Sequence, residues 1–535
     1  MKKITLIFIY CLCSVVAYSQ MTLSDMKYFY FHGNFILFKS IALPNKGIMC
    51  VGSLYDTTQN FPVTPVKYDQ DILMLKMDSS FNVLWSKRIG GSLSEHVDGV
   101  SACKDGGFLV TGQTSSTDGI FANHPYLNPA IQKNLYVVKI DSLGNTKWVN
   151  TFGGGYSPNY RVFSVAESGD GGAFAMGITD SAGTGDFAFM HYGPPSWYDW
   201  YIIKFDSLGN KLWVKIRGGT HDDMDCKIIS DEQGGIFVVA YTGSTDYDLA
   251  NSWIPNWMGP NGYVGHWDSA GNIIWGHTLG GSGWDELSNI IYDTTRQQLV
   301  ASGHSNSTTI HLQGHTNNTG EFDYWAICLD TAGAIVWSNA WGGDKDDKAS
   351  TICKNELTNE YYIGGAAYSK NGDLDSLHTN LNSDIDAWVI VVDTLGNIKR
   401  KQQFGGNDID VIITLNFINN KIFVMGYTGS YDGDFATNTI DGIVFLAYIT
   451  NYPTQITESS LLDPLEIYPN PCSNYLHVKN KTALNYQIIA MNGAVMQKGN
   501  ITQNGTINTH SLPIGNYIIE CTNKTITYYH KFLKQ

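Results

Sequence analysis

Lys139-Ile140-Asp141-Ser142-Leu143-Gly144-Asn145-Thr146-Lys147-Trp148 is the stretch on which the fold of this 535-residue chain is read. The same phrase, Lys-x-Asp-Ser-x-Gly-Asn-x-x-Trp, recurs as Lys204 to Trp213. Its tryptophans fall at Trp85, Trp148, Trp213, Trp275 and Trp337, with spacings of 63, 65, 62 and 62, and Arg400 takes the same place 63 residues later. A fixed period of this size marks a tandem array, so the repeat governs the reading of everything around it. Seven residues before the phrase's Asp stands Asp71, Asn134, Asp199, Asn261, Asp323 or Asp386, and Asp441 continues that series. After the Trp come Gly90-Gly91, Gly153-Gly154, Gly218-Gly219, Gly280-Gly281, Gly342-Gly343 and Gly405-Gly406. A hairpin signal follows, as in Asp105-Gly106-Gly107 and Asp170-Gly171-Gly172. Each unit thus reads as four short strands, with Gly and Asn supplying the positive φ of the tight turns. Strands such as Trp200-Tyr201-Ile202-Ile203 are apolar on both faces and belong in a core.

Four-stranded units in tandem predict a β-propeller. Inner strand pairs are expected near 35–53, 97–112, 160–177, 223–241, 286–303, 347–366 and 410–428, which makes seven blades. Only six fourth strands carry the Trp phrase. The missing one is assigned to Met26 to Phe31, an N-terminal strand that completes the last blade and closes the ring, removing exposed sheet edges. The fold class is therefore all-β, a seven-bladed β-propeller followed by a small C-terminal β-sandwich. The boundaries are 1–19 for a signal peptide, 20–450 for the propeller, 451–464 for a linker and 465–535 for the last domain.

Composition agrees. Charged residues are 16%, aromatic residues 13%, and Gly numbers 55, which excludes a disordered chain. The net charge of −15 argues against a nucleic-acid partner, because phosphates call for Lys/Arg surfaces. Lys2 and Lys3, the apolar run Ile4 to Val16 and the small-x-small site before Gln20 form a secretory signal, with cleavage expected between Ser19 and Gln20. No later apolar run reaches the length of a membrane helix. Seven cysteines lie beyond the signal, with no Cys-x-x-Cys or Cys/His cluster. Buried free thiols are the expectation, and Cys472–Cys521 is the one pair to test as a disulfide, since both fall in the C-terminal domain.

The Asp…Gly-Asn-x-x-Trp phrase resembles the tryptophan-docking repeat of quinoprotein dehydrogenase propellers, and also the Asp-boxes of sialidases. The resemblance covers residues 26–450 and implies a structural role: a hairpin turn, and a Trp packed between blades. It implies nothing about activity. The C-terminal stretch looks like the type A C-terminal sorting domain of the type IX secretion system of Bacteroidetes. It begins with Tyr468-Pro469-Asn470-Pro471, continues to Leu512-Pro513-Ile514-Gly515-Asn516-Tyr517 and ends on a Lys-rich tail. That resemblance implies an address: passage across the outer membrane by the secretion machinery, then release or attachment to the cell surface. The repeated Asp-Ser/Thr-x of the hairpins also resembles the O-glycosylation signal of Bacteroidetes secreted proteins, although the turn itself already calls for those residues.

Strand parity places the connectors after each Trp strand and the long loops before each Asp/Asn on one face, the mouth. Both loop families are acidic, so carboxylates are expected to rim it. Two loops are aromatic, with Tyr192, Trp197 and Tyr198 in one and Trp253 and Trp257 in the next. Trp284 joins them on the same face. Flat rings beside Asp222, Asp223 and Asp285 are suited to sugar rings, and these nine residues are the candidate ligand site. Asp-x-Asp loops, Asp246/Asp248, Asp373/Asp375 and Asp432/Asp434, are candidates for Ca²⁺, a hard cation that takes several oxygens. No HExxH, GxSxG or phosphate-binding loop occurs. The expected function is a secreted, non-catalytic binding or adhesion propeller for extracellular glycan or protein. The alternatives are a polysaccharide hydrolase or lyase using mouth carboxylates, and a purely structural surface protein.

Overall fold

The structure, a computed structural model, describes residues 20–29, 35–43, 47–54, 70–124, 133–154, 161–180, 185–187, 197–250, 259–308, 321–374, 385–438, 443–452, 466–479, 483–490, 495–522 and 527–535. The chain divides into a unit Asp25–Thr450 and a second unit containing Asn451–Gln535. The expected signal peptide lies outside the described residues.

Seven four-stranded antiparallel sheets make up the first unit. Their innermost strands are Phe35–Ala42, Glu95–Ala102, Arg161–Glu167, Asp223–Ser230, Asp285–Asp293, Asp347–Asn355 and Asp410–Ile418. Each packs against the next, and the last packs against the first, so the ring is closed. Six blades take their four strands in sequence order. In the seventh, Gln20–Phe29 pairs with Ile443–Tyr452 as the outer strand. That strand starts six residues earlier than the Met26 expected, at the residue following the expected cleavage point. The third strands are buried along all or nearly all of their length, completely so in Asn134–Ile140, Asp199–Phe205 and Asp386–Val392, because neighbouring blades cover both faces.

The repeated phrase is a lock between blades. Asp141 Oδ1 accepts the N–H groups of Leu143 at 2.9 Å and Asn145 at 2.8 Å, shaping the turn. The phrase's Lys reaches back to the first hairpin of its own blade: Lys139 Nζ lies 3.2 Å from Asp105, and Lys204 Nζ 2.7 Å from Asp170. The Trp reaches forward. A Cβ on Gly396 would lie 2.8 Å from both Cδ2 and Cε3 of Trp337, and one on Gly209 would lie 2.5 Å from Trp148 Cδ2. Trp275 Nε1 donates to the Thr331 carbonyl at 3.0 Å, and Trp337 Nε1 to that of Thr394 at 3.1 Å. The glycine is therefore fixed twice, by a φ near +80° (Gly144 +82°, Gly396 +80°) and by the indole of the preceding blade.

All seven innermost strands carry a register shift, at one equivalent place in five blades and one residue earlier in the first and fourth. It falls between Ile36 and Phe38, Val97 and Gly99, Val162 and Ser164, Met224 and Cys226, Leu287 and Asn289, Ala349 and Thr351, and Ile412 and Thr414. A bulge turns the extra side chain out of the ladder. Asp98, Phe163, Asp225, Ser288, Ser350 and Ile413, the extra residues, line the central channel. Two of them bridge to the next blade: Ser288 Oγ donates to the Ala349 carbonyl at 3.1 Å and Ser350 Oγ to that of Ile412 at 2.7 Å.

The second unit contains a three-stranded and a four-stranded sheet over one core that includes Ile488, Ile519 and Phe532. The Tyr-Pro-Asn-Pro segment is tied to the C-terminal strand, since Asn470 Oδ1 accepts Leu533 N–H at 2.9 Å and Asn470 Nδ2 donates to the Lys531 carbonyl at 3.0 Å. Tyr517 stacks on Phe532 and donates its hydroxyl to the Pro513 carbonyl at 2.8 Å, made possible by the turn that ends at Gly515. Tyr468 is half exposed. Cys472 and Cys521 are buried free thiols in this core, as are the five cysteines of the propeller, so the tested disulfide pair is not formed.

Candidate functional site

The mouth face carries the blade connectors and the long loops, and its acidic groups fall into two sets. The first set begins the innermost strands: Glu95, Asp223, Asp285, Asp347 and Asp410, all fully buried. Each turns inward onto its own connector. Asp285 Oδ2 accepts Gly281 N–H at 2.8 Å and Ser307 Oγ–H at 2.8 Å, with the Ser305 hydroxyl on Oδ1. Asp223 Oδ2 accepts Gly219 N–H at 2.8 Å and Ser244 Oγ–H at 3.1 Å. Burial pushes Glu95 and Asp347 up to about 7 and Asp285 and Asp410 up to about 6, despite these hydrogen bonds. Asp223 is raised as well, by burial first and then, against its hydrogen bonds, by the charge of Asp199.

The second set is the Asp-x-Asp loops. Their first carboxylate accepts the N–H after the connector glycines: Asp246 from Thr220 at 2.8 Å, Asp432 from Asn407 at 2.8 Å. Their second accepts the N–H of the first glycine: Asp248 from Gly218 at 3.4 Å and Asp434 from Gly405 at 3.0 Å. In the remaining loop the register is shifted by two: Asn371 holds the first position, accepting Asp344 N–H at 3.0 Å, and Asp373, the first Asp of its pair, holds the second, accepting Gly342 N–H at 3.2 Å. These loops clasp the connectors, and their oxygens are directed at backbone donors. Asp375 lies outside the described residues. Among the described residues one group of three potential ligands comes together, Cys103, Asp105 and Glu167, on the opposite face. Lys139 sits within it, 3.2 Å from Asp105 and 3.5 Å from Glu167, so an ammonium already supplies the positive charge. The expected open rim of carboxylates is thus largely an inward-turned set, because a backbone N–H beside a connector is a nearer partner than solvent cations.

The aromatic side differs. Trp197 packs on His221 with ring centroids 4.3 Å apart. Trp284, 42% exposed, lies 5.9 Å from Tyr241. Phe322 meets His304 edge-on at 4.9 Å, with Lys348 Nζ over its ring at 4.6 Å. Tyr198 is half-buried and its N–H donates to Asp222 Oδ1 at 3.0 Å. Tyr192, Trp253 and Trp257 lie outside the described residues. The rings that sequence reading overlooked, Tyr241, His304 and Phe322, sit in strand-end registers that carry Gln113, Ala366, Gln70 and Ile385 in other blades. Only the pairing register aligns them. They gather over the third to fifth blades, beside Glu286, which burial and the charge of Asp225 push up to about 7.

No curated protein matches the chain. Among solved structures, the Neurospora crassa Pan2 WD40 domain is 10% identical with a TM-score of 0.37, over 72% of this chain and 86% of its own. A DUF4221 family member from Bacteroides vulgatus is 11% identical with a TM-score of 0.33, over 82% and 98%. A Synechocystis apocarotenoid oxygenase variant is 10% identical with a TM-score of 0.34, over 80% and 93%. These likenesses are too distant to inform the site. Residues 466–535 match the family described as the secretion system C-terminal sorting domain. Among the described residues no helix is long and apolar enough to cross a membrane. The chain is a β-propeller protein ending in a type IX secretion sorting domain, carried across the outer membrane to the cell surface or extracellular space.

Proposed function

We propose that the propeller is a non-catalytic binding module that holds extracellular glycan or protein at its mouth, over the third to fifth blades. The carrying observation is the arc of rings formed by Trp197/His221, Tyr241/Trp284 and His304/Phe322, with Trp284 open to solvent. Tyr192, Trp253 and Trp257, candidates from the sequence, lie outside the described residues. Rings already packed on one another lose little freedom on binding, which favours affinity. Asp222 and Glu286 flank the rings and offer acceptors to hydroxyl groups. Asp223 and Asp285 act beneath the surface, holding the connectors that carry His221 and Trp284. In this reading Ca²⁺ is not needed, since the Asp-x-Asp carboxylates clasp the backbone.

The test is depletion from solution by a panel of insoluble polysaccharides, with Ca²⁺ and with EDTA, while released reducing sugar is assayed. Binding is expected without sugar release and without an EDTA effect. Trp284→Ala and Trp197→Ala are each expected to weaken it about tenfold or more, since hot-spot aromatics contribute about 1.4 kcal/mol or above. Intact binding in the double variant contradicts the site. A second reading, a polysaccharide-degrading enzyme, draws on Glu286, whose raised pKa suits a general acid. Sugar release abolished by Glu286→Gln puts that reading first.

A further inference from the structure

The central channel has a volume of about 390 Å³ and is walled by the innermost strands of all seven blades. Its charged lining is arranged by depth. Glu286, Asp98 and Asp225 stand near the mouth, at or before the bulges, and Lys39 and Lys227 follow two residues beyond the bulges of the first and fourth blades. Every acid there has a basic neighbour. Asp98 is met by Lys39, Arg161 and Lys133, Asp225 by Arg161, and Glu286 by Lys348, with His304 Nε2 3.5 Å away.

Lys227 lacks the reciprocal partner. The titratable groups that reach it are Lys39, which repels it, and the neutral Cys226 thiol; no carboxylate pairs with it among the described residues. Burial, and then Lys39, hold its ammonium down at about 8. Lys39 is lowered by burial and is only partly compensated by Asp98. Two like charges line one channel with protein walls, where Coulomb repulsion is less screened than in water. A half-buried cation without a counter-charge carries part of the cost of leaving water. An anion placed between the two removes both penalties, and the channel has room for one.

We propose that the central channel is a binding site for a small oxyanion, a carboxylate or sulfate group, held between Lys39 and Lys227. This site lies below the aromatic arc and is separate from it. The ligand enters past the acidic level, where the paired acids leave no large excess of negative charge. Bound anion restores full protonation of Lys227, so binding weakens as pH rises above 8, when the free ammonium is lost.

The test is competitive labelling of the full chain. Lysines are reductively methylated at pH 8 in chloride, sulfate or malonate at equal ionic strength, and each site is quantified by mass spectrometry. Sulfate or malonate is expected to slow Lys227 about fivefold, the loss of free amine at pH 8 when its pKa rises by one unit from about 8. Exposed Lys399 is expected to react equally in all three. Protection by sulfate alone assigns a sulfuric ester or inorganic oxyanion; protection by malonate alone assigns a carboxylate. Equal reactivity of Lys227 in all three salts overturns the proposal. A thermal shift by the protecting anion is expected to vanish in Lys227→Met and Lys39→Met, and a shift retained in both overturns it too. The labelling arm needs no variant, so it stands even if a variant fails to fold.

Discussion

The junction of the fifth and sixth strand phrases and the junction that closes the ring solve one packing problem in opposite ways. At the ordinary junction Trp337 projects from an outer strand onto the turn of the next blade, and Gly396 yields the space. At the closure the outer strand is Gln20–Phe29, which carries no such phrase. Here the turn supplies the bulk. Phe81 stands where the other turns have glycine, keeps the positive φ at +61°, and is 2% exposed. Its ring stacks on Tyr448 at 4.8 Å and meets Phe423 at 5.8 Å. Arg400 marks the other side of the same exception. The last blade has no phrase turn to dock on, and Arg400 instead pairs with Glu360 of its own blade. The two irregular repeats are therefore consequences of how the ring closes.

The largest effect is expected from removing the closing strand. Deleting residues 20–29 leaves Ile443–Tyr452 as an open, apolar edge. Loss of monomer to aggregate is expected by light scattering, and a stable monomer contradicts closure by this strand. Next comes Phe81→Gly. It removes a buried aromatic, costing about 3 kcal/mol, while relief of the left-handed backbone returns about 1. A net loss near 2 kcal/mol is expected in denaturant unfolding; a gain would show that the ring adds nothing to the closure.

A smaller effect concerns pH. Glu95 and Asp347 sit at about 7, and Asp285 and Asp410 at about 6, each raised mainly by burial. A carboxyl raised on folding stabilises the fold fully below its unfolded value, near about 4, and loses that contribution as pH climbs through the folded value. The propeller is therefore expected to melt higher at pH 5 than at pH 8. Asp323 is one of the causes at Asp347, and Asn261 takes its place one repeat earlier. Asp323→Asn is expected to narrow the difference in Tm between the two pH values. A widened difference contradicts the repulsion between Asp323 and Asp347.

The blade count, the strand order and the closing N-terminal strand were legible because they rest on periodicity and turn chemistry, which are local. The Trp phrase was legible as structural, yet its partner was not, since the glycine it meets lies 58 to 61 residues away in the next unit. The acidic loops misled for a related reason. Asp246 or Asp434 reads as exposed in sequence, and only the fold brings a connector N–H to it. The channel left no signal at all. The bulge residues share a place and no chemistry: Asp98, Phe163, Ser288 and Ile413 occupy the same position. At the mouth, Trp197, Tyr198 and Trp284 were recognised by their composition, whereas Tyr241, His304 and Phe322 required strand register to be seen as part of one arc.

The account turns on a large ring and a glycine acting as one lock across adjacent blades, which a double-mutant cycle on Trp148 and Gly209 measures directly, since the three atoms nearest a Cβ on Gly209 all belong to the Trp148 indole. Gly209→Ala alone is expected to cost about 3 kcal/mol, combining the positive φ with the contact on the indole. In the Trp148→Ala background the indole contact is gone, and the same change is expected to cost about 1 kcal/mol, the backbone penalty alone. A coupling near 2 kcal/mol confirms the lock. Equal costs in the two backgrounds contradict it.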